Sequence, residues 1–126
     1  FFVPSEPEAR AITGLDAPTQ MARYFQARGC KNVVIKLGSA GAFCRDAAGN
    51  EHHVPAYRLR QVVDTTGAGD AWVAGFLAGL QEHAPLPAAA ELGNAAAAHC
   101  IQAPGATAGI VPLEQIRHFQ QTAPRA

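Results

Sequence analysis

No stretch of apolar residues in this chain approaches the ~20 in succession that a membrane-spanning helix requires; each is cut short by glycine, proline or a charged side chain. The basic region that opens a secretory signal is missing from the N-terminus, so a cytoplasmic protein is the expectation. Cysteine is sparse and badly spaced for chemistry. Cys30, Cys44 and Cys100 are odd in number, far apart and without a C-x-x-C pair, which excludes a disulfide framework and a zinc site and leaves reduced, structural thiols. Charge of one sign is lacking too: ten basic residues balance ten acidic ones. With no basic run and no basic residues interleaved with aromatics, nucleic acid is excluded as an expected partner. Five histidines are present, two of them adjacent, His52-His53. Neighbours on a strand face opposite sides and do not share an ion, and no partner stands at ligand spacing.

What is present is an apolar fraction of 48% in 126 residues, enough for one domain with a real core, since chains near this size bury roughly two thirds of their unfolded surface. Phe1-Phe2-Val3 reads as the end of a buried strand stopped by Pro4, which puts the first residue inside a fold. Ser5 is placed as the N-cap of a short helix, with Pro7 in its first turn and Glu8 three residues after the cap. A helix from about Pro18 to Arg28 carries Met21, Ala22, Tyr24 and Phe25 on its apolar stripe and ends at Gly29. A buried strand follows over Asn32–Leu37. Gly38–Gly41 turns into Ala42–Arg45, which Asp46–Asn50 joins to Glu51–Val54 as an antiparallel hairpin. Leu59–Val63 is expected as a further strand. Two alanine-rich helices, about Ala71–His83 and Pro87–Gln102, then a glycine-bearing loop over Pro104–Pro112 and a helix over Leu113–Gln121 with Ile116 and Phe119 on one face, complete a single α/β unit without internal repeats.

The segment Asp64-Thr65-Thr66-Gly67-Ala68-Gly69-Asp70 runs from a loop straight into an apolar helical pattern. Its glycines let the backbone turn with several N–H groups aimed at one point, and the positive end of the following helix adds to the same field. Such a junction suits an anion. Asp70 places a carboxylate beside it and supplies a proton acceptor, and base plus anion hole suggests phosphoryl transfer. The same residues also suit a plain helix cap with a glycine-rich lead-in, and Asp70 an acid that complements the helix dipole.

That string resembles the C-terminal signature of the ribokinase-like carbohydrate kinases, the PfkB type. Val33-Val34-Ile35-Lys36-Leu37-Gly38-Ser39-Ala40-Gly41-Ala42-Phe43 is similar to the family's strand and glycine turn beneath the nucleotide phosphates, and Asn94-Ala95-Ala96-Ala97-Ala98 with Pro104-Gly105-Ala106-Thr107 to its adenine-pocket helix and following loop. The three stand in the family's order, and the resemblance runs from about Phe2 to about Phe119. It implies the C-terminal portion of a three-layer α/β/α fold with a small antiparallel hairpin. The N-terminal half, with most of the central sheet, the lid strands and the sugar-binding segment, would then be absent.

The resemblance also assigns roles. Asp70 corresponds to the base that takes the proton from a sugar hydroxyl as it attacks the γ-phosphate of ATP, with the N–H groups of Gly67, Ala68 and Gly69 as the anion hole. Lys36, Gly38, Ser39 and Gly41 correspond to the phosphate turn, Asn94 and Ala97 to the adenine helix, and Gly105 to the loop beside it. For the alanines close helix packing is the other reading. Asp64 and Thr66 match positions that help bind a monovalent cation, K+ being the expected ion; an Asx turn explains Asp64 equally well. Where the family carries Asn-x-x-Glu, this chain has Ser5-Glu6-Pro7-Glu8. Glu8 corresponds to the residue that organises water around Mg2+, though Ser5 and Glu8 also spell a capping box. The expected function is ATP-dependent phosphorylation of a small sugar or sugar acid, inactive in this piece alone, with a homodimer left open. A non-catalytic nucleotide-binding module, a degenerate remnant and a vitamin kinase for pyridoxal or hydroxymethylpyrimidine are the alternatives.

Overall fold

A computed structural model describes all 126 residues. The order is α1 (Glu6–Thr13), α2 (Pro18–Gln26), β1 (Val33–Lys36), a 3-10 turn over Gly38–Ala40, β2 (Ala42–Arg45), β3 (Glu51–Val54), α3 (Ala68–Gln81), α4 (Leu86–Cys100) and α5 (Leu113–Thr122). The three strands form an antiparallel sheet in the order β1-β2-β3, with Val34 opposite Cys44 and Cys44 opposite His52. On the outer side of β1 the chain start runs parallel to it. Phe2 N–H donates to Asn32 O, and the N–H groups of Val34 and Lys36 donate to Phe2 O and Pro4 O at 2.9 Å each.

Alternation along β1 builds three layers. Val33 and Ile35 pack with Ala9 of α1 and with Met21, Ala22 and Phe25 of α2. Val34, on the opposite face, joins Ala42, Cys44 and Val54 against Trp72 and Phe76 of α3 and Ala89 and Ala90 of α4, as the period of two in a strand demands. A third cluster lies under α5, where Ile116 meets Tyr57, Leu92, Ala95 and Ala98. The sheet is thus sandwiched between helices, the α/β/α arrangement expected.

Local signals explain most boundaries. Ser5 caps α1 reciprocally with Glu8: Ser5 N–H and Oγ both donate to Glu8 Oε2 at 2.7 Å, and Glu8 N–H donates back to Ser5 Oγ at 3.4 Å. Pro18 opens α2, which ends at Gln26, earlier than the Arg28 expected, because the chain turns over Ala27–Gly29 with Gly29 at φ +100°. Helices α3 and α4 pack through small residues. A Cβ at Gly75 would fall 2.7 Å from Leu92 O, and one at Gly79 2.7 Å from Ala89 Cα, so a larger side chain at either position would force the helices apart.

Two expectations need correction. Leu59–Val63 is not a strand: Val62 and Val63 are exposed, and the N–H groups of Val63 and Asp64 both donate to Ile101 O at the end of α4. β-Branched residues alone do not make a strand where no sheet edge lies alongside, and here the backbone is held by a helix end instead. Helix α3 starts at Ala68 rather than Ala71, so that Gly69 and Asp70 belong to its first turn.

Candidate active site

The first turn of α3 is entered through Gly67 at φ +77°. A Cβ there would approach Ala106 Cα to 2.8 Å, so glycine serves both the left-handed backbone and the close passage of the loop after α4. Of the three N–H groups proposed as an anion hole, those of Gly67 and Gly69 have no acceptor within the protein, while that of Ala68 donates to Thr65 O at 3.1 Å. Asp70 N–H is unengaged as well. The N–H groups left without an acceptor are therefore those of Gly67, Gly69 and Asp70, at the positive end of a helix of 14 residues.

Asp64 tethers this loop. Its Oδ1 accepts from Thr66 N–H at 2.9 Å and its Oδ2 from Gly105 N–H at 2.8 Å, joining the α3 lead-in to the loop after α4. The Thr66 side chain first, then the N–H groups of Thr66 and Gly105, hold the carboxyl below the usual aspartate range. The Asx-turn reading of Asp64 is thus what the geometry shows. Behind it the buried Cys100 thiol lies 3.9 Å from Thr66 O and 3.8 Å from Ala106 O. Burial, and secondarily the Asp64 charge, raise that thiol's pKa.

A cleft of about 730 Å3 opens beside the loop. One wall is the end of β1 and its turn, with Lys36, Gly38, Ser39 and Gly41; another is the α3 start, with Ala68 and Gly69; the floor includes Asn94, Ala97 and Ala98 of α4. Gly41 closes the turn at φ +94° where a Cβ would fall 2.0 Å from Val54 O. Leu37 N–H donates to Gly41 O, and Gly41 N–H to Gly38 O. The Lys36 ammonium lies 3.7 Å from the point a Gly69 Cβ would occupy and has no ion-pair partner among the salt bridges of the chain. A cation without a contact ion pair, with the Glu8 carboxylate the acidic group whose pKa, after the Ser5 hydrogen bonds, its charge lowers, and the positive end of a helix, side by side on one cleft, make an environment for an anion.

The structure brings Lys36, Gly38, Ser39, Gly41, Ala68, Gly69, Asn94 and Ala97 to this one cavity. Asp70, exposed, sits next to it in the first turn of α3. Gly67, Asp64, Thr66 and Gly105 form the loop scaffold behind it and do not line it, and Glu8 stands one residue beyond the lining Pro7. Glu8 is occupied as a cap through Oε2, and the Ser5 backbone N–H, foremost, lowers its pKa. Asn94 is buried and hydrogen-bonded rather than solvated.

Sequence reading passed over the apolar walls: Tyr57, Leu59, Val62, Trp72 and Ile101. Trp72 and Phe76, spaced four apart and stacked at 5.1 Å, carried a legible helical signal, whereas Tyr57 sits in an irregular segment that offers none.

The pfkB family of carbohydrate kinases matches residues 1–113. The chain belongs to that family. It is similar to the 2-dehydro-3-deoxygluconokinase of Bacillus subtilis, 34% identical over 94% of this chain and 36% of that one. It is also similar to the aminoimidazole riboside kinase of Salmonella typhimurium, 42% identical over 79% of this chain and 33% of that one. Among solved structures, Arabidopsis thaliana ribokinase complexed with ribose and ATP superimposes with a TM-score of 0.88 at 27% identity, over 94% of this chain and 40% of that one. The chain therefore spans about a third of the length of these curated relatives. Its α/β/α layers are part of the ribokinase-like fold.

Proposed function

We propose that residues 1–126 form the ATP-binding and catalytic-base part of a kinase that phosphorylates a hydroxyl of a small sugar or sugar acid. The observation that carries the reading is the convergence, on one cleft, of the Lys36 ammonium, the Gly38–Gly41 turn and the free N–H of Gly69, with Asp70 in the same helical turn. The relatives support it: one solved neighbour is complexed with ribose and ATP, another with aminoimidazole riboside and an ATP analogue.

In this scheme the ATP phosphates lie between the Lys36–Gly41 turn and the start of α3. The adenine lies over Ala97 and Ala98, against the apolar side of Tyr57, Leu59 and Val62. Asp70 accepts the proton of the attacking hydroxyl, a role worth about 10²–10⁴ in rate. The N–H group of Gly69, joined by Lys36, stabilises the charge on the transferring phosphoryl, a backbone donor of this kind contributing about 10²–10³. Because that N–H is fixed by the helix, it needs no reorganisation as charge develops.

No three His, Cys, Asp or Glu side chains gather anywhere in the chain, so it builds no Mg2+ cage of its own; Mg2+ belongs in this proposal as the companion of ATP, with Glu8 Oε1 open to its water. For K+ the donor chemistry fits better. Backbone carbonyls of Thr66 and Ala106 converge near Cys100 with the Asp64 carboxylate close by, oxygen ligands of the kind a hard cation takes. Such an ion would supply positive charge behind the anion-binding loop. No helix is long and apolar enough to cross a membrane, and the cytoplasm is the compartment we propose. The reading is tested by incubating the full-length protein with ATP and a panel of sugars and sugar acids and identifying the product by mass: one phosphorylated sugar is expected, and ATP binding without any phosphorylated product would contradict it.

A further inference from the structure

Asn94 is the one polar side chain the fold buries, at 6% exposure, and its hydrogen-bonding capacity is nearly exhausted. Oδ1 accepts from Trp72 Nε1 at 2.8 Å, and Nδ2 donates to Val54 O and to Pro55 O at 3.1 Å each. A side-chain amide has two N–H donors and one oxygen with two lone pairs. Both donors are taken, so the acceptor nitrogens of a purine find nothing on Asn94 to receive them.

Its partners say what it does instead. Trp72 lies two residues beyond Asp70 on α3; Val54 ends β3, and Pro55 leads into the segment that lines the cleft through Ala56 and Tyr57. One amide on α4 thus ties the helix carrying the base to the wall of the cleft. Gly93 makes the approach possible, since a Cβ there would lie 2.8 Å from the Trp72 ring. A buried polar group is costly unless satisfied, and once satisfied in three directions it fixes a single arrangement of the elements it joins.

We propose that Asn94 is a positioning residue: it sets the first turn of α3, and with it the Asp70 carboxylate and the Gly69 N–H, relative to the cleft wall at residues 54–57, and does not read the nucleobase. This inference rests on the cleft being the ATP site. Trp72 is the only tryptophan of the 126 residues, and the emission lost in Trp72→Phe identifies its signal in the full-length protein. The test compares Asn94→Ala, Trp72→Phe and the double variant in the full-length kinase. Because small displacements of reacting groups cost up to about a hundredfold, both single variants are expected to lower kcat by about tenfold or more. KM for ATP should stay within about threefold and the ATP-to-GTP preference should not change. The double variant should be no worse than Asn94→Ala alone, as expected for two residues acting through one bond. Asn94→Ala should also shift the component of the emission that Trp72→Phe removes.

A tenfold rise in KM for ATP, or an altered ATP-to-GTP preference, in Asn94→Ala but not in Trp72→Phe would overturn the proposal. If Asn94→Ala fails to fold, Trp72→Phe decides, because it removes a single donor; wild-type kcat in that variant overturns the proposal. An active wild type with both variants unaltered counts against the positioning role alone, whereas a wild type inactive on every sugar would overturn the kinase reading and this inference with it.

Discussion

Asp64 shows how a single carboxylate can hold a functional loop without lining the cavity it serves. Both of its oxygens accept from backbone N–H groups, those of Thr66 and Gly105, and its pKa is depressed by the Thr66 side chain first and then by these two groups. A depressed carboxylate stabilises the fold fully above its unfolded value of 3.8 and loses that contribution as pH falls through the lower folded value. Asp64→Asn should therefore be less stable than wild type at neutral pH, and the gap should close below about pH 4. Denaturant titrations of both proteins across that range check it; a gap independent of pH would contradict the assignment. The thiols provide a second test at this scale. Burial pushes Cys44 up to about 12, and Cys100 is buried too, while Cys30 is partly exposed. A disulfide reagent at neutral pH should modify one thiol in the folded protein and all three after unfolding, because the thiolate is the reacting form. Rapid reaction of all three in the folded state would show that the Cys44 and Cys100 surroundings are not closed.

At the scale of elements, the glycines decide most. Gly41 combines φ +94° with a Cβ position 2.0 Å from Val54 O, so Gly41→Ala meets backbone strain and overpacking at once and should cost at least about 2 kcal/mol. For a domain of this size that is a fall in Tm of about 8 °C or more, with ATP affinity falling alongside because the turn is the cleft wall. An unchanged Tm would show that the turn is looser than drawn. Gly75→Ala, at the α3–α4 contact, should lower Tm as well and leave the turn intact.

Much of this level was readable in the sequence. The Ser5–Glu8 capping box, the hairpin and the α2 stripe all rest on local chemistry, and local chemistry survives folding. The Leu59–Val63 segment failed because a strand depends on a neighbour that sequence does not display. Asn94 was legible as a position on a helix, but not as a hub, because its partners are 22, 40 and 39 residues away. In the loop that leads into α3, the glycines announced themselves while the loss of Ala68 N–H to Thr65 O did not.

At the scale of the whole molecule, the three layers leave one cleft beside the start of α3, and the chain spans about a third of its curated relatives. Nucleotide binding and phosphoryl transfer should therefore separate. Residues 1–126 alone are expected to bind ATP, seen as a change in Trp72 emission, but not to transfer phosphate at rates above about a hundredth of those of the full-length protein, since orientation of the second reactant is worth at least that much. Full turnover by the isolated 126 residues would show that sugar recognition lies within them.

The central claim is that Asp70 is the base of a phosphoryl transfer on this cleft, and it is tested most directly by turnover and ATP affinity of Asp70→Asn measured side by side in the full-length kinase. The account predicts a fall in kcat of about 10²–10⁴ with ATP affinity unchanged. A kcat within a few-fold of wild type, or a loss confined to ATP affinity, would contradict it.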